Sequence, residues 1–157
     1  MQEMMLARAK ALLQSGDVQR VLGWQTGEFA YDVTPAAFET AEELDAKFVY
    51  NDFCGSNLSK YLVKESRKEG RVLVFLKPCD TYSFNQLIKE HRVVRENIYV
   101  IGVPCAGKTD GETLKGLGLK GILGVKDAGD SFTVETLYGE KTVSKQEALP
   151  ERCRSCK

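Results

Sequence analysis

The stretch Arg71–Asp80, which reads RVLVFLKPCD, constrains the fold more than any other part of the sequence. Its apolar run Val72–Leu76 is too dense for a strand with one face in solvent and too short for an ordinary helix. Such a run is typical of a strand buried on both faces, as in a parallel sheet that helices cover on each side. Because Lys77 and Pro78 end the run abruptly, we expect a central strand over residues 71–76.

A helix is expected directly after this strand, over residues 80–91. Its positions at spacings i, i+3, i+4 and i+7 share one face, and they are Phe84, Leu87, Ile88 and His91. Asp80 is well placed to be its N-cap. Cys79 would then lie between the carboxyl end of a buried strand and a helix N-terminus. Open α/β sheets bind ligands at that edge, and the helix dipole there favours a thiolate.

Helices and strands alternate in the rest of the first hundred residues. We expect helices over residues 3–15 and 40–47 and from Ser56, and strands over residues 18–24, 29–33 and 98–103. Thr40 opens a capping box for the second of these helices. The order helix, strand, helix, strand from residue 56 to residue 103 indicates a right-handed crossover between neighbouring parallel strands.

The last third of the chain differs in composition. Residues 107–130 are rich in glycine, and short strands are expected over residues 122–125 and 132–137. The whole pattern predicts an α/β protein with a mostly parallel or mixed central sheet, helices on both faces and a small irregular β-rich lobe near the C-terminus. We expect an α/β core over residues 1–106, and a glycine-rich β lobe with a CxxC tail over residues 107–157 of the same domain.

Charge and hydropathy exclude several classes of protein. Lys and Arg number 22 and Asp and Glu number 22, so the net charge is zero and nothing favours nucleic acid or an anionic membrane as the partner. No run approaches the ~20 apolar residues of a transmembrane helix, and the N-terminus lacks the pattern of a secretion signal. We therefore expect a cytoplasmic protein without membrane insertion.

Five cysteines are more than packing usually needs in a reducing cytoplasm, where disulfides are rare. Cys54, Cys79 and Cys105 each follow a short apolar run and precede a loop or a helix, so we expect them along one edge of one sheet. Cys153 and Cys156 add a CxxC, a spacing that can grip one metal centre. Ligation by thiolates alone suits zinc or an iron–sulfur cluster, and the residue types do not distinguish these two kinds of site.

Plainer interpretations stay open for these residues. Any one of the first three cysteines could be a small buried hydrophobe. The CxxC could be a structural zinc half-site or a redox pair, although no strand precedes it and no helix follows it. Lys77 could meet a phosphate or a flavin, against the default of a solvated lysine at a strand end. His91 fits a core or C-cap position better than a ligand.

Five sequence segments occur in a definite order along the chain, and they are LLQSGDVQRVLGW, FVYNDFCGSNLSKYL, VLVFLKPCDTYSFNQLIKEH, IYVIGVPCAG and CRSC. Together they resemble the β-subunit family of coenzyme F420 hydrogenase/dehydrogenase. Within it they are similar to the iron–sulfur proteins that accompany heterodisulfide reductase, hydrogenase and formate dehydrogenase modules. The resemblance covers nearly the whole chain.

This resemblance implies an electron-transfer subunit of a larger redox complex. It implies a 4Fe-4S cluster, with FAD as a second cofactor that exchanges a hydride with a deazaflavin. The residues that match the family's cysteines are Cys54, Cys79, Cys105, Cys153 and Cys156, without settling which four bind the cluster. Lys77 and Asn57 are the candidate cofactor-binding residues. The implied partners are other subunits of a heterodisulfide reductase, hydrogenase or formate dehydrogenase type.

The chain departs from the family in two respects. Pro78 stands where the family often has Gly, and Thr81 and Tyr82 stand where it often has an Arg, so contacts made by those residues are not carried over. Relatives usually continue well past the CxxC, whereas this chain ends at Lys157. We therefore expect a fragment of a longer protein, because a metal-binding CxxC at a terminus has little structure to hold it.

Three functions follow, from different classes. The first is an electron-transfer subunit with a cysteine-ligated iron–sulfur cluster. The second is a structural or regulatory domain in which the CxxC and two sheet-edge thiols hold zinc. The third is a thiol enzyme with Cys79 as nucleophile, which ranks last because His91 lies too far along its helix to serve as the base.

Overall fold

The computed structural model describes residues 1–29 and 31–156, which form two compact units. The first unit comprises Met1–Gln25, Pro35–Tyr50 and Ser56–Cys105. The second comprises Thr26–Thr34, Asn51–Gly55 and Ala106–Lys157. No helix in the described residues is both long enough and apolar enough to cross a membrane.

The first unit alternates helices and strands, as the sequence predicts. Its elements are α1 (Gln2–Gln14), β1 (Arg20–Thr26), β2 (Val33–Phe38), α2 (Ala41–Lys47), α3 (Leu62–Glu65), β3 (Val72–Leu76), α4 (Pro78–Lys89) and β4 (Ile98–Gly102). Single 3-10 turns over Ser59–Tyr61 and Arg95–Asn97 precede α3 and β4. Thr40 caps α2 as predicted, because its hydroxyl accepts a hydrogen bond from the Glu43 N–H at 3.2 Å.

The strands of this unit form one sheet in the order β2-β1-β3-β4. β3 runs parallel to both β1 and β4, with Leu22 beside Val74 and Leu76 beside Gly102. All five residues of β3 are buried. The predicted central strand and the predicted parallel pair joined through α4 are therefore confirmed.

The prediction for the edge of this sheet is wrong in one place. We expected the second strand to occupy residues 29–33 and to break at Pro35, whereas β2 begins at Val33 and runs through Pro35. Proline is tolerated there because β2 is an edge strand, where a missing N–H need not interrupt a hydrogen-bond ladder. Ala30, within the predicted range, lies outside the described residues.

The start of α4 also corrects a prediction. The helix begins at Pro78 with Lys77 as its N-cap, so Asp80 is the third helical residue rather than the cap. Proline suits the first helical position because its missing N–H would have no partner there. Asp80 still serves the helix start, since its Oδ2 accepts the Lys77 N–H at 3.2 Å.

His91 ends α4 in the residue after its C-cap Glu90, close to the predicted C-cap position. His91 has φ of +53°, and its N–H donates to the Ile88 carbonyl at 3.0 Å. The Arg92 N–H donates to the Leu87 carbonyl at 2.9 Å, which completes a Schellman motif. The side chain of His91 is exposed, so it is not a core residue.

Helix formation after Ser56 starts later than predicted. Ser56 caps no helix, and the first helical turn begins at Ser59. The reason is local, because the Asn57 side chain accepts the Ser59 N–H at 2.8 Å and so forms the turn itself.

The second unit is the β-rich lobe that the sequence predicts. It contains α5 (Gly111–Gly116), β5 (Ile122–Asp127), β6 (Ser131–Thr136), β7 (Gly139–Ser144) and α6 (Glu151–Arg154), with the three strands paired as an antiparallel sheet. An apolar cluster comprises Leu114, Leu119, Phe132, Val134 and Ala148. Phe53 packs against this cluster. The sequence analysis missed α5, β7 and α6, which are short elements of four to six residues.

Candidate functional site

Two of the predicted site cysteines follow neighbouring parallel strands of the first unit. β3 ends at Leu76 and β4 at Gly102, and these two residues are paired in the sheet. Cys79 and Cys105 each lie three residues beyond their strand end. The pairing extends past the strands, because the Val103 N–H donates to the Leu76 carbonyl at 2.9 Å. Their predicted placement at the same edge of the sheet is therefore confirmed.

Cys79 lies in the first turn of α4 and is exposed to solvent. Its thiol donates to Asp80 Oδ1 at 3.9 Å, near the upper limit for a hydrogen bond from sulfur. The first turn of a helix points unpaired N–H groups and the positive end of the dipole at such a side chain. Cys105 is half-buried in the segment after β4. This edge thus offers one exposed and one partly covered thiol.

Lys77 is not the solvated strand-end lysine that is the default for its position. Its side chain is only 2% exposed, as is that of Asp80, and the ammonium lies 2.8 Å from Asp80 Oδ2. The ammonium also donates to the Ser56 carbonyl at 3.1 Å and lies 4.7 Å from the centroid of the Trp24 ring. These contacts offset the desolvation of a buried charge. Its role in cofactor binding stays a prediction.

Two aromatic residues extend this buried cluster, and sequence reasoning missed both. Trp24 is fully buried, and its Nε1 donates to the Ser56 carbonyl at 3.3 Å. Its ring lies 5.5 Å from the Tyr50 ring, centroid to centroid. The Tyr50 hydroxyl donates to the Pro104 carbonyl at 3.1 Å, one residue before Cys105. The sequence placed Trp24 at the end of the predicted strand over residues 18–24, and no spacing pointed to a role beyond packing.

Asn57, the second candidate cofactor-binding residue, joins the loop before α3 to α4. Its Oδ1 accepts the Ser59 N–H at 2.8 Å and the Ser59 hydroxyl at 2.5 Å. Its Nδ2 donates to the Ser83 hydroxyl at 2.6 Å. These bonds hold the amide in a fixed orientation beside α4. Its predicted contact with a cofactor is not tested by them.

Cys54 belongs to the second unit and does not follow a strand. The run before it forms only an isolated antiparallel bridge between Gln25 and Phe48, so the predicted strand-end position of this thiol is wrong. Its side chain is fully buried. The Asn51 N–H donates to its sulfur at 3.3 Å, and the thiol donates to Asn51 Oδ1 at 3.6 Å.

The CxxC also lies in the second unit. Cys153 is half-buried within α6, and Cys156 is exposed just after it. Arg152 anchors this helix, because its guanidinium donates to Asp110 Oδ2 at 2.7 Å. Burial raises the pKa of Asp110, but hydrogen bonds from Thr113 and Arg152 outweigh burial and hold that pKa below its ordinary value.

The second unit also contains a cavity of about 520 Å³. Asp52, Phe132, Lys145 and Leu149 are among its lining residues. The Lys145 ammonium pairs with Asp52 at 2.7 Å and with Asp127 at 2.8 Å. Burial lowers the pKa of Lys145, but its bonds to these two carboxylates outweigh burial and raise that pKa above its ordinary value. No pattern in the sequence pointed to this cavity.

The thiols have the donor chemistry of an iron–sulfur or a zinc site. No disulfide joins the five cysteines, all of which lie in the described part of the chain. Within neither unit do the described residues contain a group of three or more His, Cys, Asp or Glu side chains arranged to hold a metal ion. The geometry within a unit therefore shows at most a pair of sheet-edge thiols.

Comparison with known proteins finds relatives that are subunits of F420-dependent formate dehydrogenases. The chain is 29% identical over 104 residues to the β subunit of F420-dependent formate dehydrogenase 1 from Methanococcus maripaludis. It is 30% identical over 98 residues to the corresponding β subunit from Methanocaldococcus jannaschii. The predicted resemblance to the coenzyme F420 hydrogenase/dehydrogenase β-subunit family is confirmed.

These matches cover only part of each protein. They cover 66% and 62% of this chain but only 27% and 26% of the two relatives, so the chain spans about a quarter of the length of the curated β subunits it matches. No family model matches the sequence. A chain of the F420-reducing [NiFe] hydrogenase complex from Methanosarcina barkeri shares the fold, with a TM-score of 0.69 at 15% identity over 97% of this chain and 58% of that one.

Proposed function

We propose that this chain is part of an electron-transfer subunit that binds a cysteine-ligated 4Fe-4S cluster. The observation that carries the proposal is the pair Cys79 and Cys105 beyond adjacent parallel strands, in a chain whose relatives are β subunits of F420-dependent formate dehydrogenases. The ligands would be four of the five cysteines. A bound cluster would transfer single electrons at a potential set by burial and by hydrogen bonds to its sulfurs.

The same resemblance supports proposals for the second cofactor, the partners and the location. FAD would be the second cofactor, with Asn57 and Lys77 as its candidate contacts, and the partners would be other subunits of a cytoplasmic oxidoreductase complex. The names of the relatives support the proposed partners, because each relative is a subunit of an F420-dependent formate dehydrogenase.

Anaerobic reconstitution tests the cluster directly. Purified protein incubated with iron, sulfide and a thiol reductant should turn brown, with broad visible absorbance that bleaches on reduction. It should hold about four iron and four acid-labile sulfide per chain. Colourless protein without sulfide would contradict the proposal, and about one zinc without sulfide would establish the zinc-binding alternative instead. Flavin analysis of the same sample tests FAD.

Single serine variants at the five cysteines supply the matched control. Because a 4Fe-4S cluster takes four thiolates, four of these variants should lose most of the bound iron and one should retain it. The variant that retains iron shows that a Cys→Ser change by itself does not prevent reconstitution. If the Cys79→Ser variant and the Cys105→Ser variant both retain iron, the sheet-edge thiols are not ligands.

A further inference from the structure

We propose that Trp24, Tyr50, Lys77 and Asp80 form a positioning cluster that holds Cys79 and Cys105 at a fixed separation before any cofactor binds. The inference rests on the proposed function for the use of these thiols, but its test requires no cofactor. All six residues belong to the first unit.

The cluster first constrains Cys79 through a buried ion pair. Asp80 Oδ2 contacts the Lys77 ammonium at 2.8 Å and accepts the Lys77 N–H at 3.2 Å. Asp80 Oδ1 is left to accept the Cys79 thiol at 3.9 Å. Since Asp80 is nearly fully buried and held on one side by Lys77, its second oxygen presents a fixed acceptor to the thiol. The Cys79 side chain is exposed, so this acceptor is the contact through which the ion pair reaches its thiol.

The cluster then reaches the segment that carries Cys105. The Lys77 ammonium lies against the Trp24 ring, and the Trp24 ring lies 5.5 Å from the Tyr50 ring. The Tyr50 hydroxyl donates to the carbonyl of Pro104, the residue that immediately precedes Cys105. A continuous series of contacts thus joins one thiol to the backbone beside the other.

One backbone carbonyl ties the cluster together. The oxygen of Ser56 accepts a hydrogen bond from the Trp24 indole at 3.3 Å and another from the Lys77 ammonium at 3.1 Å. The ammonium is thereby held by a carboxylate, a carbonyl and an aromatic face at once. Side chains locked in this way are what a preorganised site needs around its ligands.

General stabilisation is a weaker explanation for the buried pair. Replacing a buried ion pair by apolar residues of similar volume is often neutral or stabilising, so such pairs are better explained by the geometry they fix. The first unit contains a second buried pair, in which Arg20 Nε lies 3.4 Å from Glu65 Oε2. Arg20 begins β1, and its guanidinium donates to the backbone carbonyls of Glu69 and Glu65. This second pair provides a matched control.

Thiol bridging tests the positioning directly. The metal-free full-length protein is treated with dibromobimane, which joins two thiols a few ångströms apart, and the Cys79–Cys105 bridge is quantified by peptide mass spectrometry. We expect this bridge to form in wild type, because neighbouring parallel strands lie about 4.8 Å apart. In Lys77→Met/Asp80→Asn, both charges are removed at similar volume. Its bridge yield should fall at least about fivefold, since the effective concentration of one thiol at the other falls when their segments move.

Two further variants separate positioning from loss of stability. Arg20→Met/Glu65→Gln removes the other buried pair and should leave the bridge yield unchanged. Tyr50→Phe keeps the ring but removes the bond to Pro104, and should lower the yield about twofold. Trp24 is the only tryptophan, so its emission should shift in the Lys77/Asp80 variant and not in the Arg20/Glu65 variant.

The outcomes that overturn the proposal are distinct. The proposal is overturned if the bridge yield is the same in wild type and in the Lys77/Asp80 variant. It is also overturned if both double variants lose the same fraction of the yield, or if wild type forms no bridge. If the Lys77/Asp80 variant does not fold, the Tyr50→Phe yield decides. Because no iron or sulfide is present, a failed cluster reconstitution leaves this result unaffected.

Discussion

At the scale of single residues, this chain places side chains in conformations and environments that their types usually avoid. His91 adopts a left-handed φ of +53° at the C-terminus of α4, where glycine is the usual residue. Lys77 is buried in a cluster of polar and aromatic groups. The two cases differ in origin, because the His91 conformation serves only to end a helix, whereas the Lys77 environment adjoins a candidate ligand.

His91→Gly should stabilise the protein. Glycine enters the left-handed region without the clash between Cβ and the backbone, and its greater loss of entropy on folding offsets part of that gain. We expect the free energy of unfolding to rise by about 0.5–1 kcal/mol in urea denaturation at neutral pH. His91→Ala is the control, since it removes the imidazole and keeps the Cβ. A glycine variant no more stable than the alanine variant would show that the conformation costs nothing.

At the scale of elements, density and periodicity of apolar residues decided what could be predicted. β3, α4 and β4 were predicted because their apolar residues follow unambiguous patterns in the sequence, although only β3 is buried throughout. β7 was not, because four of its six residues are exposed and its pairing with β6 alone makes it a strand. The placement of Cys79 and Cys105 followed from the strand ends, whereas Trp24 and Tyr50 join the site through tertiary contacts that no local spacing records.

Asp110 links two elements that the sequence did not reveal. Its Oδ1 accepts the Thr113 N–H at 2.8 Å and so caps α5, while its Oδ2 pairs with Arg152 at the start of α6, the helix that carries Cys153. Asp110→Ala should lower the free energy of unfolding by about 1 kcal/mol at pH 7. Asp110→Asn should lower it less, because asparagine still caps the helix and the partly exposed ion pair is worth only a few tenths of a kcal/mol.

The effect of Asp110 should depend on pH in a definite direction. Its folded pKa lies below the unfolded value of 3.8, so its charged form stabilises the protein above that value and this contribution is lost as the pH falls through the folded pKa. Urea denaturation should show that the difference in free energy of unfolding between wild type and Asp110→Asn is smaller at pH 3 than at pH 7. The control is Glu112→Gln, which breaks the exposed pair with Lys115 in the same helix. Its free energy of unfolding should equal that of wild type at pH 7. An Asp110→Asn difference that stays constant would contradict this assignment.

At the scale of the whole molecule, the two units are not two consecutive stretches of chain. Composition predicted a change at residue 107, and the second unit does contain everything from Ala106 onward. It also takes Thr26–Thr34 and Asn51–Gly55 from the middle of the first unit's sequence. Neither segment differs in composition from its surroundings, so only the tertiary contacts reveal where it belongs. The Tyr31 hydroxyl donates to the Ile122 carbonyl at 3.0 Å, and the Phe53 ring lies 5.7 Å from the Phe132 ring.

This interleaving predicts that the C-terminal part of the chain does not fold alone. A peptide of residues 106–157 would lack Phe53 from its apolar cluster, the Asp52 carboxylate that pairs with Lys145 at 2.7 Å, and the Asn51 carbonyl that accepts the Lys108 ammonium at 2.8 Å. A chain of this length is only marginally stable, because it buries only about 60% of the surface that its unfolded form exposes. Its amide proton shifts in a heteronuclear NMR spectrum should therefore lack dispersion.

The matched control is the full-length chain cut by a protease at a site engineered between Cys105 and Ala106. The cut chain retains Thr26–Thr34 and Asn51–Gly55 together with the C-terminal stretch, so every segment of the second unit is present. Its spectrum should keep the dispersed shifts of β5, β6 and β7. Well-dispersed shifts in the isolated 106–157 peptide would show that the apolar cluster suffices by itself. In that case the two inserted segments would be bound to an independently folded lobe, and truncation at residue 105 would be a sound way to separate the CxxC from the sheet-edge thiols.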